Sequence, residues 1–299
     1  MSLVIVGSVA FDTIETPFGR RERIVGGSGT YCSLAASYFT KPRVVGVVGR
    51  DFPRKAVDFL RSRRVDLSGL KVRSGKTFHW EGRYEKDPNL RTTVRTELNV
   101  FKDFRPAVPP AYAGADIVYL ANIDPDGHEP ILRQFRKPRL VAMDTIRFWI
   151  ETKREAILRE LGRVDVLFAN DEEARLLAGE LNLVAAGQAL VGFGPRLVVL
   201  KKGEHGALVF GRGFLFGVPA HPCAHVIDPT GAGDSFAGGF LGYLDQAGRF
   251  TAREVRRAAV YGSVLASFAI EDFGIDRFRT LDRKAIDGRF KEFKRLISF

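Results

Sequence analysis

The chain has 299 residues, 45% of them hydrophobic and 27% charged, which excludes a disordered chain and allows one large α/β domain or two medium ones. No apolar run reaches the roughly 18 to 20 residues that span a bilayer, and Met1–Ala10 has no basic residues ahead of its apolar stretch, so we expect neither membrane span nor secretory signal, and a cytoplasmic protein. The formal net charge of +11 is scattered over Arg20, Arg21 and Arg23, over Arg61, Arg63 and Arg64, and over Lys291, Lys294 and Arg295, interrupted by Glu22 and Glu292 and without an aromatic–basic signature; it reads as a solvated basic surface that draws anionic ligands, not as a nucleic-acid site.

Short apolar runs alternate with helical patterns along the chain. Leu3–Gly7 reads as a buried strand, Thr30–Phe39 as a helix with Ser28 as its N-cap, and Val44–Val48 as a strand after which Asp51 caps a helix running to Arg63. The runs Ile117–Ala121, Leu140–Met143, Val164–Phe168 and Leu197–Leu200 are further strands, most of them separated by helical stretches. Such alternation predicts a mostly parallel sheet with helices on both faces. Two segments break the rhythm. Phe11–Val25 is polar, with Pro17 and Gly19, and fits a hairpin; Thr77–Phe101 alternates with period two through Phe78, Trp80, Gly82 and Tyr84, then Thr93, Arg95, Glu97 and Asn99. Together they predict a small second sheet, from about 12–25 and 77–101, placed as a lid. Further on, Ala207–Phe210, Phe214–Val218 and Cys223–Ile227 read as an antiparallel meander, and Gly233–Gln246 and Ala252–Ile270 as two long helices. The two cysteines, Cys32 and Cys223, have neither metal nor disulfide spacing and read as reduced thiols.

The chemistry is concentrated in Asp228-Pro229-Thr230-Gly231-Ala232-Gly233-Asp234, read as lying between an apolar strand and a glycine-rich helix. Gly231 and Gly233 permit a tight turn and close backbone approach to a ligand. The helix that follows directs unpaired N–H groups and partial positive charge at the turn, which makes an anion site. Asp234 puts a carboxylate in the same turn. Beside a phosphate that is repulsive, and it makes chemical sense only if the carboxylate takes a proton from an attacking hydroxyl while the amides hold the charge that develops on a transferred phosphoryl group. As a plain helix cap, Asp234 would not need the Gly-Ala-Gly before it.

The string Asp228 to Phe240 resembles the C-terminal signature of the ribokinase-like (PfkB) carbohydrate kinases, and other positions follow that family in order: Gly26-Gly27, Val45 to Asp51, Asn170-Asp171-Glu172-Glu173, and Gly203-Glu204-His205-Gly206-Ala207. The resemblance runs from about residue 3 to about residue 275. It implies a three-layer αβα ribokinase-like domain over residues 1–299 and an ATP- and Mg²⁺-dependent phosphotransferase. In that reading Asp234 is the catalytic base and Gly231, Ala232 and Gly233 form the anion hole. Asn170, Lys201, Gly203 and Gly206 lie at the nucleotide, and Glu173 reaches Mg²⁺ through water. Asp12, with Gly26 and Gly27, meets the acceptor, and a monovalent cation borders Asp228 and Thr230.

The sequence departs from the family at two places: Tyr31 stands where an asparagine commonly contacts a sugar hydroxyl, and Lys201 where threonine is frequent. Strand ends offer further acceptor contacts in Asn122, Asp124 and Asp126, and in Asp144, Arg147 and Trp149. Phe78, Trp80 and Tyr84 are placed to cover a sugar or base, or to pack. Three acceptor classes follow. The first is a small sugar or polyol, the second a nucleoside, and the third no acceptor at all, in a nucleotide-responsive binding module. An open-edged lid further suggests a homodimer formed through it.

Overall fold

The computed structural model describes residues 1–102 and 104–298. Thirteen strands form in two sheets among these residues. The large sheet contains β1 (Leu3–Gly7), β4 (Arg43–Gly49), β5 (Asp66–Arg73), β8 (Ile117–Ala121), β9 (Leu140–Asp144), β10 (Val166–Asn170), β11 (Leu197–Lys201), β12 (Ala207–Gly211) and β13 (Phe214–Val218), in the order β13-β12-β11-β10-β9-β8-β1-β4-β5. Pairing is parallel from β11 through to β5, and antiparallel only between β11, β12 and β13. The small sheet takes β2 (Ala10–Thr16), β3 (Gly19–Gly26), β6 (His79–Tyr84) and β7 (Arg91–Glu97), in the order β3-β2-β6-β7.

Among the described residues ten α-helices surround the large sheet: α1 (Ser28–Ala36), α2 (Arg54–Ser62), α3 (His128–Leu132), α4 (Arg147–Leu161), α5 (Asp171–Ala178), α6 (Leu183–Gly192), α7 (Ala232–Ala247), α8 (Ala252–Ala269), α9 (Asp276–Thr280) and α10 (Arg283–Leu296). The central strands are buried on both faces, which is why they read as continuous apolar runs. Ile5, Tyr119 and Phe168 point into a core shared with α1, α7 and α8, whereas Val6, Leu120 and Leu167 point into one shared with α3 to α6. These are the three layers, helix, sheet and helix, with a small mixed sheet beside them. A minor cluster of Ile14, Tyr84 and Phe273 joins the small sheet to the body.

Several expectations required revision. Cys223–Ile227 forms no strand: beyond β13 the segment has no sheet neighbour, and the amides of Ile227 and Asp228 bond to the Ile270 carbonyl instead. Ser28 does not cap α1. It lies inside the helix, and its hydroxyl donates to the Ala121 carbonyl at 2.7 Å. Asp51 does not cap α2 either; it accepts from the Thr77 amide and hydroxyl and from Arg23, so it ties the large sheet to the lid. Strand β5, polar at alternate positions and on the sheet edge, and the terminal helices α9 and α10 were not anticipated.

Glycines in α7 set how close its neighbours come. A Cβ on Gly238 would stand 2.3 Å from the Cys32 carbonyl oxygen, and one on Gly239 would stand 2.8 Å from that of Tyr261. Backbone cannot yield as a flexible side chain can, so α1 and α8 would have to move. Gly238→Ala is therefore expected to lower stability by about 1–3 kcal/mol and the melting midpoint by several degrees. Gly114→Ala, where a Cβ meets nothing within 4 Å, serves as the control in the same calorimetry.

Candidate active site

The site is built at the carboxyl ends of adjacent strands. Parallel register places Asn170, the last residue of β10, opposite Lys201, the last of β11, and Phe168 opposite Asp144, the last of β9. Asn170 then starts α5 through a reciprocal cap. Its Oδ1 accepts from the Glu173 amide, and Glu173 Oε2 accepts from the Asn170 amide, each at 2.7 Å. This makes Asn170 a helix cap, and the same cap holds the Glu173 carboxyl in place beside the cleft.

Lys201 Nζ donates to Asp144 Oδ2 at 2.6 Å, and the Tyr119 hydroxyl donates to that same oxygen at 3.3 Å. The lysine also stands against the glycine-rich turn, since a Cβ on Gly233 would lie 3.1 Å from its Nζ. The pair Lys201–Asp144 thus lies beside the start of α7. Gly231, at φ 75°, is the residue before that helix, and no side chain caps it. The Ala232 amide turns back to the Pro229 carbonyl at 3.3 Å, whereas the amides of Gly233 and Asp234 have no backbone partner among the described residues and are left for a ligand.

Asp228 fixes the turn. It is fully buried, and its two oxygens accept from the amides of Thr230 and Gly274, each at 2.8 Å. The Thr230 hydroxyl bonds to Tyr84 of the lid at 3.2 Å. A cavity of about 840 Å³ opens from this turn, lined by Lys201, Gly203, Gly206, Ala232 and Gly233. Pro88 and Asn89, in the turn of the lid between β6 and β7, complete one wall; a Cβ on Gly203 would meet Asn89 Oδ1 at 2.1 Å. A smaller hollow at the opposite ends of the strands, near Leu140 and Leu197, has none of this chemistry.

The other side of the cleft is formed by β2, β3 and α1, which carry the acceptor candidates of the sequence. Asp12, on β2 of the small sheet, is buried against Gly26, where a Cβ would fall 1.8 Å from its Oδ2. Gly27 has φ 93° and precedes α1; a Cβ there would strike the Ser8 carbonyl at 2.6 Å. The glycine pair is thus the space that Asp12 and the backbone of Ser8 occupy.

Electrostatics single out the same groups. Burial first, then the charge of Asp144, raises the Asp234 carboxyl to about 7, against the pull of Lys201 and Arg91. Asp234 is only partly covered on the cleft side, but protein crowds it on the others, so desolvation still dominates. Burial likewise lifts Glu173 to about 7, opposed by Lys201, and lifts Asp12 to about 8, reinforced by Asp228. Burial disfavours the charged form of Lys201, but Asp144 and Glu173 outweigh it and keep the ammonium above its ordinary range.

Arg91, the first residue of β7, escaped the sequence reading. It lies over Trp80 on the lid, 5.4 Å from the ring centroid, and its charge lowers Asp12, Glu173 and Asp234 together. Nothing in its local pattern separates it from the neighbouring exposed arginines; only the lid's position does so. Other strand-end candidates serve elsewhere. Lys153 takes Asp124 and Asp126, each at 2.6 Å, and exposed Arg147 pairs with Glu151 and Glu172. Trp149 packs on Phe148 and Lys153. Asn122 stays at the end of β8 at φ 48°, its Oδ1 buried and unpartnered among the described residues. Phe78 stacks on Phe101, and Tyr84 packs beside Ile14, so these aromatics hold the lid together.

The donor set fits a polyphosphate with a hard cation. Uncapped amides and Lys201 face the cavity, and Lys201 and Arg91 only partly offset the burial that raises the Glu173 and Asp234 carboxyls toward neutrality. Together with the fold, these features define a phosphotransferase. The chain belongs to the pfkB family of carbohydrate kinases, whose model matches residues 2–279. It is 34% identical over 248 residues to a cytidine kinase of Thermococcus kodakarensis, covering 81% of this chain and 87% of that protein. It is 26% identical over 299 residues to a nucleoside kinase of Methanothermobacter thermautotrophicus, covering 91% and 90%. Its fold matches a fructokinase of Vibrio cholerae with fructose, ADP and calcium bound, with TM-score 0.80 at 20% identity, covering 96% of this chain and 98% of that one.

If Asp234, raised to about 7, accepts the proton of the attacking group, it must be ionised to act, and kcat/KM is expected to fall about tenfold per pH unit below pH 7. Lys201→Met removes a charge that lowers Asp234 and should move this limb to higher pH. An unmoved limb would show that Lys201 does not tune the base. Asp12 is raised from 3.8 to about 8, so its protonated form favours the fold: its contribution to ligand-free stability is fully present below about pH 4 and is lost as pH rises through 8. Asp12→Asn should flatten that decline in urea titrations.

Proposed function

We propose that this chain transfers the terminal phosphoryl group of ATP, with Mg²⁺, to a sugar hydroxyl of a nucleoside. The observation that carries the reading is Asp234 in the first turn of α7, beside uncapped amides and across from Lys201. In this reading the hydroxyl oxygen attacks the terminal phosphorus, Asp234 takes its proton, and the bond to the ADP oxygen breaks. The amides at Gly231 and Gly233 and the Lys201 ammonium hold the charge on the transferring group, whereas the amide of Ala232 is already engaged with the Pro229 carbonyl. Gly203 and Gly206 leave room for the nucleotide. Glu173, steadied by Asn170, meets Mg²⁺ through water; the ion supplies charge neutralisation of the phosphates. Arg91 brings the lid's positive charge to the same centre. Asp12, beside Gly26 and Gly27, receives the acceptor.

The similarity to a cytidine kinase and a nucleoside kinase supports the nucleoside as acceptor. A small sugar or polyol is the second reading, favoured by the carboxyl of Asp12 on the acceptor side. The buried charge of Asp228, held by two amides, supports a monovalent cation near Thr230. The lid ends in two exposed strands, β3 and β7, and their open edges support pairing between two copies. Light scattering that returned a monomer would remove that pairing.

ADP release from Mg-ATP across cytidine, adenosine, inosine, ribose and fructose tests the activity and ranks the acceptors. Asp234→Asn should keep ATP binding and lose roughly 10²- to 10⁴-fold in turnover. Unchanged turnover in that variant would refute the base assignment.

A further inference from the structure

The small sheet reaches the nucleotide side of the cleft as well as the side of Asp12. Tyr84 of β6 pairs with Arg91 of β7, so residues 85–90 form the turn between these strands. The hairpin is anchored just below that turn, where the Thr230 hydroxyl donates to the hydroxyl of Tyr84 at 3.2 Å. The turn itself lies against the cavity of about 840 Å³, and Pro88 and Asn89 are its part of the lining.

Asn89 is held in one orientation. Asp87 Oδ1 accepts from the Asn89 backbone amide at 2.8 Å and from its Nδ2 at 3.2 Å. A carboxylate accepts and cannot donate, so Nδ2 faces Asp87 and Oδ1 is turned away from it. Oδ1 is turned toward Gly203: a Cβ on that glycine would fall 2.1 Å from it, closer than any side chain comes. Part of the room that Gly203 leaves, at φ 54°, is thus taken by the lid. Asn89 Oδ1 has no hydrogen-bond partner among the described residues.

The chemistry of the cavity limits what this oxygen can meet. Lys201 and Gly233 in the lining suit phosphates, whereas the apolar side chains of Val226, Ala266 and Ile270 suit a base. Gly203 follows Lys201 by two residues, so Asn89 docks close to the phosphate-binding lysine. A carbonyl oxygen repels phosphate oxygens and needs a hydrogen-bond donor. In a nucleoside triphosphate the donors next to the phosphates are the ribose hydroxyls.

We infer that Asn89 is a donor-binding residue carried by the lid: it docks on Gly203 and accepts a hydrogen bond from a ribose hydroxyl of the nucleotide. The inference rests on the kinase reading above and deepens it. One hairpin then faces both substrates, since Trp80 of β6 pairs with Asp12 in the sheet and the turn after β6 closes on the nucleotide.

Calorimetric titration with a non-hydrolysable ATP analogue, and with its 2′-deoxy and 3′-deoxy forms, compares wild type with Asn89→Ala. Asn89 stands in an exposed turn, so the variant should fold with an unchanged melting temperature. It should bind the ribose analogue about 3- to 10-fold more weakly. The wild type should lose a similar factor on one of the two deoxy forms, and Asn89→Ala should no longer distinguish that form from the ribose analogue. Unchanged affinity in the variant, or discrimination that survives in it, would overturn the inference and leave Asn89 as a turn residue. The titration needs no turnover. A wild type that binds and discriminates the analogues but releases no ADP with any acceptor would refute the kinase reading and leave the Asn89 contact standing, whereas a wild type that binds no analogue would refute both.

Discussion

The structure depends on a buried carboxylate that performs no chemistry of its own. Asp228 uses both oxygens on backbone amides, one in its own turn and one at Gly274 after α8. A buried carboxylate is costly unless such bonds satisfy it, so the turn cannot relax without exposing the charge. That rigidity fixes Gly231 in its left-handed conformation and sets the start of α7, and through it the position of Asp234. The glycines of α7 extend the constraint into the body by letting α1 and α8 approach its backbone. The position of Asp234, the start of α7 and its packing against α1 and α8 therefore share one origin.

Around that turn the charge balance is deliberately incomplete. Asp12, Glu173 and Asp234 all rise well above ordinary carboxyls, and only Lys201 and Arg91 oppose the rise at more than one of them. One of these cations comes from the end of a central strand and is held by Asp144. The other comes from the lid. The strand supplies a fixed charge, whereas the lid supplies one whose position depends on how the small sheet sits. That is a natural arrangement for a cleft that must admit charged substrates and then exclude water from them.

Much of this was legible in the sequence, for identifiable reasons. Buried parallel strands have no polar face, so Leu3–Gly7, Ile117–Ala121 and Leu197–Lys201 stand out as unbroken apolar runs. The Asp228–Asp234 string is legible because its glycines, its carboxylate and the helix after it make sense only together. What failed depended on neighbours. Cys223–Ile227 is as apolar as a strand but has no sheet edge to join. Ser28 and Asp51 have the composition of helix caps, yet stronger partners take them: the Ala121 carbonyl for one, Thr77 and Arg23 for the other.

The sequence alone therefore determined the layer architecture and the lid as a second sheet, and it singled out Asp234 as the candidate base, because periodicity and local turn chemistry follow from consecutive residues. Only the tertiary structure decided that Asp144 holds Lys201, that Arg91 among many arginines reaches the carboxyls, and that Tyr31 lies under Gly231 with its hydroxyl unpartnered among the described residues. Those pairings join residues from about 57 to 200 positions apart in the chain. Their energies come from burial and charge in a shared low-dielectric space, and no local pattern encodes which distant groups will share it.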